Sequence, residues 1–193
     1  MKSVVIEGQR RSDMGKKAAR DLRSQGNVLG VIYGGKEEVH FSAPTLAFRG
    51  LVYTPEFQIA EVKVDGQTYR CIIKDKQFDV VTDSLNHVDF LELVPGKKVI
   101  ANLPLQFKGQ SAGVKAGGRL VVKMQNLKVR TMPENLVSNI EVDITDLQLN
   151  GNIRVEDVKM ENVEFMNPLR QPVASVVMTR ALRQAETEEK KGK

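Results

Sequence analysis

Two kinds of chemistry can be tested against this sequence: nucleophilic catalysis and the binding of a polyanion. For catalysis, Cys71 is the single thiol, and Asp89 follows His87 by two residues, a spacing at which a carboxylate can orient an imidazole. Cys71, however, alternates with Tyr69 and Ile73, a pattern typical of a small buried hydrophobe. Because nothing in the sequence activates the thiol, a small cysteine hydrolase remains only a minor alternative.

Metal ligation and phosphate cradling have equally little support. The two histidines lack the HExxH spacing of a metal site. The segment GVKAGGRL, residues 113–120, lacks the GxxxxGK[ST] pattern, and the following LVVKM is β-like rather than helical, so we expect a loop between strands. The sequence therefore predicts no enzyme, no cofactor, no metal site and no small-molecule substrate.

The signal for polyanion binding lies in RRSDMGKKAARDLRSQG, residues 10–26, which holds six basic side chains. The spacing predicts a helix over 16–25, with Asp13 as its N-cap and Gly26 as its C-terminal stop. At 100° per residue, one edge of this helix collects three cations, which lie within about 60° of one another: Lys16, Arg20 and Arg23. Acid-to-base pairs at i,i+4 spacing are scarce, so the cations are not explained by pairing within the helix.

The rest of the chain reads mainly as short strands with a few short helices, an α+β pattern dominated by β structure. Asp65-Gly66 lies between two alternating runs and predicts a two-residue hairpin turn. In NHVDFLEL, residues 86–93, Val88 and Phe90 share one strand face while His87 and Asp89 share the other. A second helix is predicted within SAPTLAFRGLVYT, residues 42–54, with Pro44 in its first turn.

Composition indicates a globular protein of 193 residues with a modest basic excess: the net charge is +5 and the isoelectric point about 9.3. One cysteine excludes an internal disulfide. The N-terminus has no secretory apolar core, and no apolar run reaches the roughly 20 residues that span a bilayer, so we expect a cytoplasmic protein without membrane contact. Few aromatic residues argue against stacking on unpaired bases.

The charge is unevenly distributed along the chain. Residues 97–130 hold eight basic residues and no acid, whereas residues 134–164 hold eight acids against two basic residues. Two readings stay open: the segments neutralise each other by cross-strand pairs in one sheet, or the basic segment forms a second anion-binding face. The acidic segment could also dock a basic partner protein.

Pro-Gly within ELVPGKKV, residues 92–99, together with a change in charge, indicates a domain boundary. We therefore predict domains at 1–93 and 94–180. The polar, charge-dense tail at 181–193 is expected to be disordered.

A cationic helix edge beside a β surface favours double-stranded RNA as the partner. The wide minor groove of RNA presents 2′-hydroxyls and base edges to a sheet, while basic side chains hold the flanking phosphates. On an exposed strand, Asp89 can accept from an exocyclic amine and His87 can donate to a base or phosphate oxygen. The competing interpretations are a solvated helix face and a salt bridge from Asp89 to a neighbouring lysine.

Several segments in this order resemble one family: GKKAARDLRSQGNVLGVIYGGKE, VDGQTYRCIIKDKQ, LNHVDFLEL, GVKAGGRLVV, IEVDITDLQLNGNIRVEDV and VEFMNP. They are similar to the bacterial large-subunit ribosomal protein numbered twenty-five in its longer, two-domain form, also called the general stress protein CTC family. The similarity covers roughly residues 3–178.

This resemblance implies an N-terminal six-stranded β-barrel domain that binds 5S rRNA in the central protuberance, and a β-rich second domain. By position, it implies RNA contacts from Arg11, Lys16, Arg20, Arg23, Tyr33, Lys74, His87 and Asp89, with Arg10 an equal candidate for the place of Arg11. It further implies a monomer within the ribosome, with 23S rRNA and neighbouring ribosomal proteins as candidate partners of the second domain.

The chain departs from the family pattern at three places: Leu29 replaces a common proline, Lys74 replaces glutamine, and residues 77–79 replace an Arg-His-Pro stretch. Despite these departures, the resemblance implies a structural constituent of the large ribosomal subunit. The alternative is a stress-induced RNA-binding protein that acts off the ribosome.

Overall fold

The computed structural model describes residues 1–160, 162–180, 182 and 184. The chain forms two compact units, Met1–Ala101 with Met132–Ser138 and Asn102–Thr131 with Asn139–Lys193. The predicted disordered tail lies outside the described residues except for Leu182 and Gln184. Within the described part of the chain, no helix has the length and apolar character to cross a membrane.

The first unit is built around six strands and two short α-helices. In chain order these are β1 (Ser3–Arg10), α1 (Lys16–Ser24), β2 (Asn27–Tyr33), β3 (Val39–Pro44), α2 (Arg49–Val52), β4 (Ile59–Val64), β5 (Gln67–Phe78) and β6 (Leu85–Glu92). The strands form a closed barrel in the order β1-β3-β2-β6-β5-β4. Pairing is parallel between β1 and β4 and between β2 and β6, and antiparallel elsewhere. Closure leaves no free sheet edge, and the predicted six-stranded barrel is confirmed.

Three phenylalanine rings fill the barrel interior. Phe41, Phe48 and Phe90 are fully buried, with ring centroids 5.9 to 6.5 Å apart. The ring of Phe41 occupies space that a side chain on either neighbouring strand would need. A Cβ atom at Gly30 would lie 2.6 Å from that ring, and one at Gly8 would lie 2.7 Å from it. These two glycines therefore let β1 and β2 pass close to a large core ring.

The local predictions for the first unit are mostly confirmed. Asp65 (φ 50°) and Gly66 (φ 81°) form the two-residue turn between β4 and β5. Helix α1 covers the predicted residues to within one position, and Gly26 follows it in the left-handed conformation (φ 81°). Its amide donates to the carbonyl of Arg23. The sequence pattern therefore located the first residue of α1 and its C-terminal stop.

Two details of the helix predictions are wrong. Asp13 is not the N-cap of α1: the helix begins at Lys16, three residues after Asp13, and its N-cap is the extended Gly15, without a side-chain capping bond. Pro44 ends β3 instead of lying in a helical first turn. The predicted second helix is a 3₁₀ turn at Thr45–Phe48 followed by α2.

The second unit is also β-rich and contains two small sheets. Its elements are most of β7 (Val99–Lys108), α3 (Ala112–Lys115), β8 (Arg119–Val122), β9 (Asn126–Thr131), β10 (Ile140–Asp143), β11 (Asn152–Arg154), β12 (Glu164–Phe165) and β13 (Pro172–Val177). One sheet has the order β10-β7-β9-β12 and the other β11-β13-β8. Short 3₁₀ turns lie at Pro133–Asn135, in the first unit, and at Val155–Asp157.

The glycine-containing segment 113–120 leads into a strand, as predicted, since β8 begins at Arg119. The one-turn helix α3 that opens this segment was not predicted. The buried Ser111 caps α3: its Oγ accepts from the amide of Val114 and donates to the carbonyl of Leu147. This segment is thus a structural connection between strands.

Candidate nucleic-acid interface

Helix α1 lies on the outside of the barrel against β2. Its inner face consists of half-buried small and aliphatic side chains, Ala18, Ala19 and Leu22. On β2, Leu29 alternates with residues whose side chains face the core, so its own side chain faces outward. It is nevertheless only 2% exposed. This apolar face holds the helix on the barrel and leaves its cationic edge in solvent, where Lys16, Arg20 and Arg23 are exposed.

Strand β6 presents the predicted polar face next to the helix. Val88 and Phe90 are fully buried in the barrel, while His87 and Asp89 face outward and are half-buried. Because β2 pairs in parallel with β6, Leu29 lies beside His87 in the register. Helix α1 therefore lies against β2, and the His87–Asp89 face is on the adjacent strand, β6.

His87 and Asp89 contact each other instead of a lysine. The Nδ1 atom of His87 lies 2.8 Å from Oδ1 of Asp89. The approach is not aligned as a hydrogen bond, so the buried Nδ1 has no well-formed hydrogen-bond partner among the described residues.

One hydrogen bond joins the helix to this strand. The Nε–H of Arg23 donates to the backbone carbonyl of Asn86 at 3.2 Å, one residue before His87. The side chain of Asn86 in turn donates to Asp79. Hydrogen bonds from the amides and hydroxyl of this turn, chiefly from Thr82 and Val81, lower the pKa of the Asp79 carboxyl. Asn86 is thus a positioning residue that sequence reasoning missed, since its contribution is a backbone carbonyl that carries no sequence signal.

Tyr33 and Asp75 extend the same outward face. Burial raises the pKa of Tyr33, and the nearby carboxylates of Asp89 and then Asp75 add to the shift. Asp75 on β5 lies directly opposite Asp89 on β6 in the register. Sequence reasoning missed Asp75, although the strand register, once known, places it on this face.

The other predicted site residues lie apart from the His87–Asp89 face. Lys74 is at a bulge in the β5–β6 pairing, and its Nζ donates to the carbonyl of Ile100 at 3.3 Å. The guanidinium of Arg11 donates through Nη2 to the carbonyl of Asp13 at 3.0 Å, and its buried Nε has no partner among the described residues. Arg10 is exposed at the end of β1. Arg10 and Arg11 border a cleft of about 300 Å³ against the inner face of α1.

The geometry of Cys71 explains why the thiol is not a nucleophile. Cys71 is fully buried in the barrel core, and burial, with a smaller contribution from Glu92, raises its pKa to about 12. His87 lies on the outer face of β6 and pairs with Gln77, not with Cys71. Among the described residues, no three His, Cys, Asp or Glu side chains converge as a metal site.

In the second unit, two contacts support the interpretation that the charged segments neutralise each other. On the paired strands β7 and β10, Lys108 Nζ lies 2.6 Å from Glu141 Oε1. On β9 and β12, Arg130 lies directly opposite Glu164, with Nη1 3.8 Å from Oε2. Basic strands at the centre of this sheet thus face acidic strands at its two edges.

Comparison with known proteins covers nearly the whole chain. Residues 6–90 match the Ribosomal L25p family, and residues 98–180 match the C-terminal domain of ribosomal protein TL5. Among similar proteins, the large ribosomal subunit protein bL25 of Cytophaga hutchinsonii is 39% identical, over 96% of this chain and 97% of its own. That of Amoebophilus asiaticus is 39% identical, over 100% and 99%. That of Phocaeicola vulgatus is 37% identical, over 96% and 97%.

The family matches and the names of these relatives therefore place the chain, with its closed β-barrel, cationic helix and second β-rich unit, among ribosomal structural proteins, which are not enzymes. The chain belongs to the Ribosomal L25p family, in the two-domain form that carries the TL5 C-terminal domain. The resemblance inferred from the sequence is confirmed.

Proposed function

We propose that this protein binds 5S rRNA through helix α1 and the outward face of β6, and that it does so in the central protuberance of the large ribosomal subunit. The observation that carries the proposal is the hydrogen bond from Arg23 to the carbonyl of Asn86. It brings the cationic edge of the helix to the strand that bears His87 and Asp89. The relatives are named as large-subunit proteins, so a structural role in the cytoplasmic ribosome follows from the family.

The cations and the polar face have different tasks in this proposal. Lys16, Arg20 and Arg23 hold phosphates, and Arg11 or Arg10 extends that contact along the approach to the helix. These contacts give affinity but carry no sequence information, because every nucleotide has the same phosphate.

Selectivity comes from the sheet face. A carboxylate near phosphates is repelled unless it accepts from a donor, and the guanine 2-amino group is the donor that base pairs offer in a minor groove. Asp89 therefore reads such an amine, His87 donates to a base or phosphate oxygen, and Tyr33 packs against a sugar or base. The resemblance adds Lys74 as a further contact, because its exposed ammonium donates one N–H to the carbonyl of Ile100 and has two more N–H groups for an RNA acceptor.

The second domain is proposed to contact 23S rRNA or neighbouring ribosomal proteins, with the protein present as a monomer within the subunit. The family matches at 6–90 and 98–180 support a domain division near residue 93. The cross-strand ion pairs of Lys108 and Arg130 reduce the basic surface available for RNA.

A titration of 5S rRNA with the full chain at several salt concentrations tests the proposal. We expect Arg20→Ala to weaken binding to all RNAs alike and to reduce the salt slope by about one. Asp89→Ala should instead relax the preference for 5S rRNA over an unrelated RNA duplex. Lys63→Ala is the control, because Lys63 is exposed on β4, which lies opposite β2 in the ring of six strands.

Equal binding by the wild type, Arg20→Ala and Asp89→Ala would show that the site is assigned wrongly. Comparable affinity of the wild type for unrelated structured RNAs, with no enrichment of the protein in large subunits, would favour a role off the ribosome.

A further inference from the structure

The turn between β5 and β6 exposes two adjacent valines. Val80 is 97% exposed and Val81 is 91% exposed. Just before the turn, the partly exposed ring of Phe78 lies 6.3 Å from that of Tyr53, which is 60% exposed. We call these four side chains, Tyr53, Phe78, Val80 and Val81, the apolar tip. Phe78, Val80 and Val81 lie within four consecutive residues, and grouped exposed apolar side chains mark interaction sites more often than isolated ones do.

The turn that carries the valines is fixed by its own hydrogen bonds. One carboxylate oxygen of Asp79 accepts from the amides of Val81 at 3.0 Å and Thr82 at 2.9 Å. The amide of Asp79 donates to the carbonyl of Ser84 at 2.8 Å, and that of Asp83 donates to the carbonyl of Asp79 at 3.0 Å. These bonds hold the turn in one conformation, so a partner that covers the valines orders little additional backbone.

The charges of the turn disfavour a phosphate surface as its partner. Residues 79–84 contain two carboxylates, Asp79 and Asp83, and no cation. Lys76 contributes one ammonium at the base of the tip, 5.8 Å from the centre of the Phe78 ring. Valine side chains form no hydrogen bonds with RNA, and the two carboxylates would be repelled by phosphates. A protein surface with apolar residues and a basic border satisfies both features.

We propose that the apolar tip docks a basic protein of the large ribosomal subunit. Proteins that assemble on rRNA carry net positive charge for the same electrostatic reason as this chain. The tip also lies beside the proposed RNA face, because Asn86, which bonds to Asp79, accepts the hydrogen bond from Arg23. A protein docked at the apolar tip would contact the same RNA that α1 binds.

The experiment compares two probes, a 5S rRNA transcript and large subunits prepared without this protein. The variant Val80→Ser/Val81→Ser removes apolar surface from two exposed positions, so it should fold normally. We expect it to bind the transcript within twofold of wild type but to bind the depleted subunits at least tenfold more weakly. Val5→Ser is the matched control, because Val5 is 47% exposed on β1 of the same barrel.

A second measurement identifies the partner. A photoreactive benzophenone amino acid in place of Val81, in the full chain bound to the depleted subunits, should crosslink to a basic ribosomal protein. Crosslinking only to rRNA or to an acidic protein, no crosslink at all, or unchanged subunit binding by Val80→Ser/Val81→Ser would overturn the proposal. Failure of the wild type to bind the 5S transcript would instead contradict the proposed RNA contact, so the two failures are distinguishable.

Discussion

At the scale of single residues, Arg23 combines a structural bond with a charge. Its Nε–H donates a hydrogen bond to the carbonyl of Asn86, while the residue as a whole remains exposed. A guanidinium has further N–H groups in a fixed plane and can therefore bond a phosphate while it holds the strand. A lysine ammonium is a point donor without this geometry.

Arg23→Lys should therefore keep the salt slope of RNA binding but lower affinity severalfold, whereas Arg23→Ala should lower both. At Arg20, which makes no hydrogen bond to the barrel among the described residues, the change to lysine should alter affinity by less than twofold. Filter-binding titrations from low to moderate salt measure both quantities. Equal effects of lysine substitution at the two positions would mean that the bond to Asn86 does not position Arg23.

Cys71 should be chemically inert in the folded protein. Its pKa of about 12, against an ordinary value of 9.0, lowers the thiolate fraction at pH 8 by about a thousandfold, and the side chain is fully buried as well. Alkylation by iodoacetamide at pH 8 should be at least a hundredfold slower in the native protein than in 6 M guanidinium. Because the folded pKa is raised, stability should also fall between pH 9 and 12, and less so in Cys71→Ala. Rapid alkylation of the native protein would contradict the placement of Cys71 in the barrel core.

At the scale of elements, helix α1 depends on how it ends. Gly26 adopts φ 81° with no atom within 4 Å of a would-be Cβ, so only backbone strain opposes a side chain there. Its carbonyl also accepts both the amide and the hydroxyl of Thr45, which joins the helix end to the segment after β3. Gly26→Ala should lower the free energy of unfolding by about 1 kcal/mol.

Gly26→Asn should recover part of that loss, because asparagine tolerates the left-handed conformation. Gly15→Ser provides a control at the other end of α1, where φ is −127° and open space surrounds the Cβ position. Serine is a good N-cap, so Gly15→Ser should leave the free energy of unfolding unchanged or raise it by a few tenths of a kcal/mol. Urea denaturation gives all three values. An unchanged midpoint for Gly26→Ala would mean that the helix end relaxes freely.

The elements also show what a sequence pattern can and cannot supply. Alternation and turn chemistry are local, so the Asp65-Gly66 hairpin, the inward Val88 and Phe90 and the end of α1 were predictable. The prediction that Asp13 caps α1 was wrong because several residues near the start of a helix can serve as its N-cap. The path of the backbone decides which of them does so. Barrel closure and the opposition of Asp75 to Asp89 depend on register between distant strands, which single-strand periodicity does not determine.

At the scale of the whole molecule, the net charge of +5 conceals two different uses of basic residues. In the first unit, the cations of α1 form an exposed edge beside a polar strand face. In the second unit, cross-strand acids lie close to Lys108 and Arg130. Such exposed pairs contribute at most about 1 kcal/mol each to stability, but they reduce the positive potential of their sheet.

The salt dependence of 5S rRNA binding should therefore report the first unit. If Lys16, Arg20, Arg23 and one of Arg10 or Arg11 each neutralise a phosphate, the slope of log K against log salt should lie between about −3 and −4. Reversing an exposed charge of the second unit, as in Lys128→Glu, should leave that slope unchanged within experimental error, whereas Lys16→Glu should reduce its magnitude by at least about one. Titrations with the full-length variants at four or more salt concentrations make the comparison. A markedly steeper wild-type slope that falls with Lys128→Glu would show that the basic strands of the second unit bind the same RNA despite their acidic neighbours.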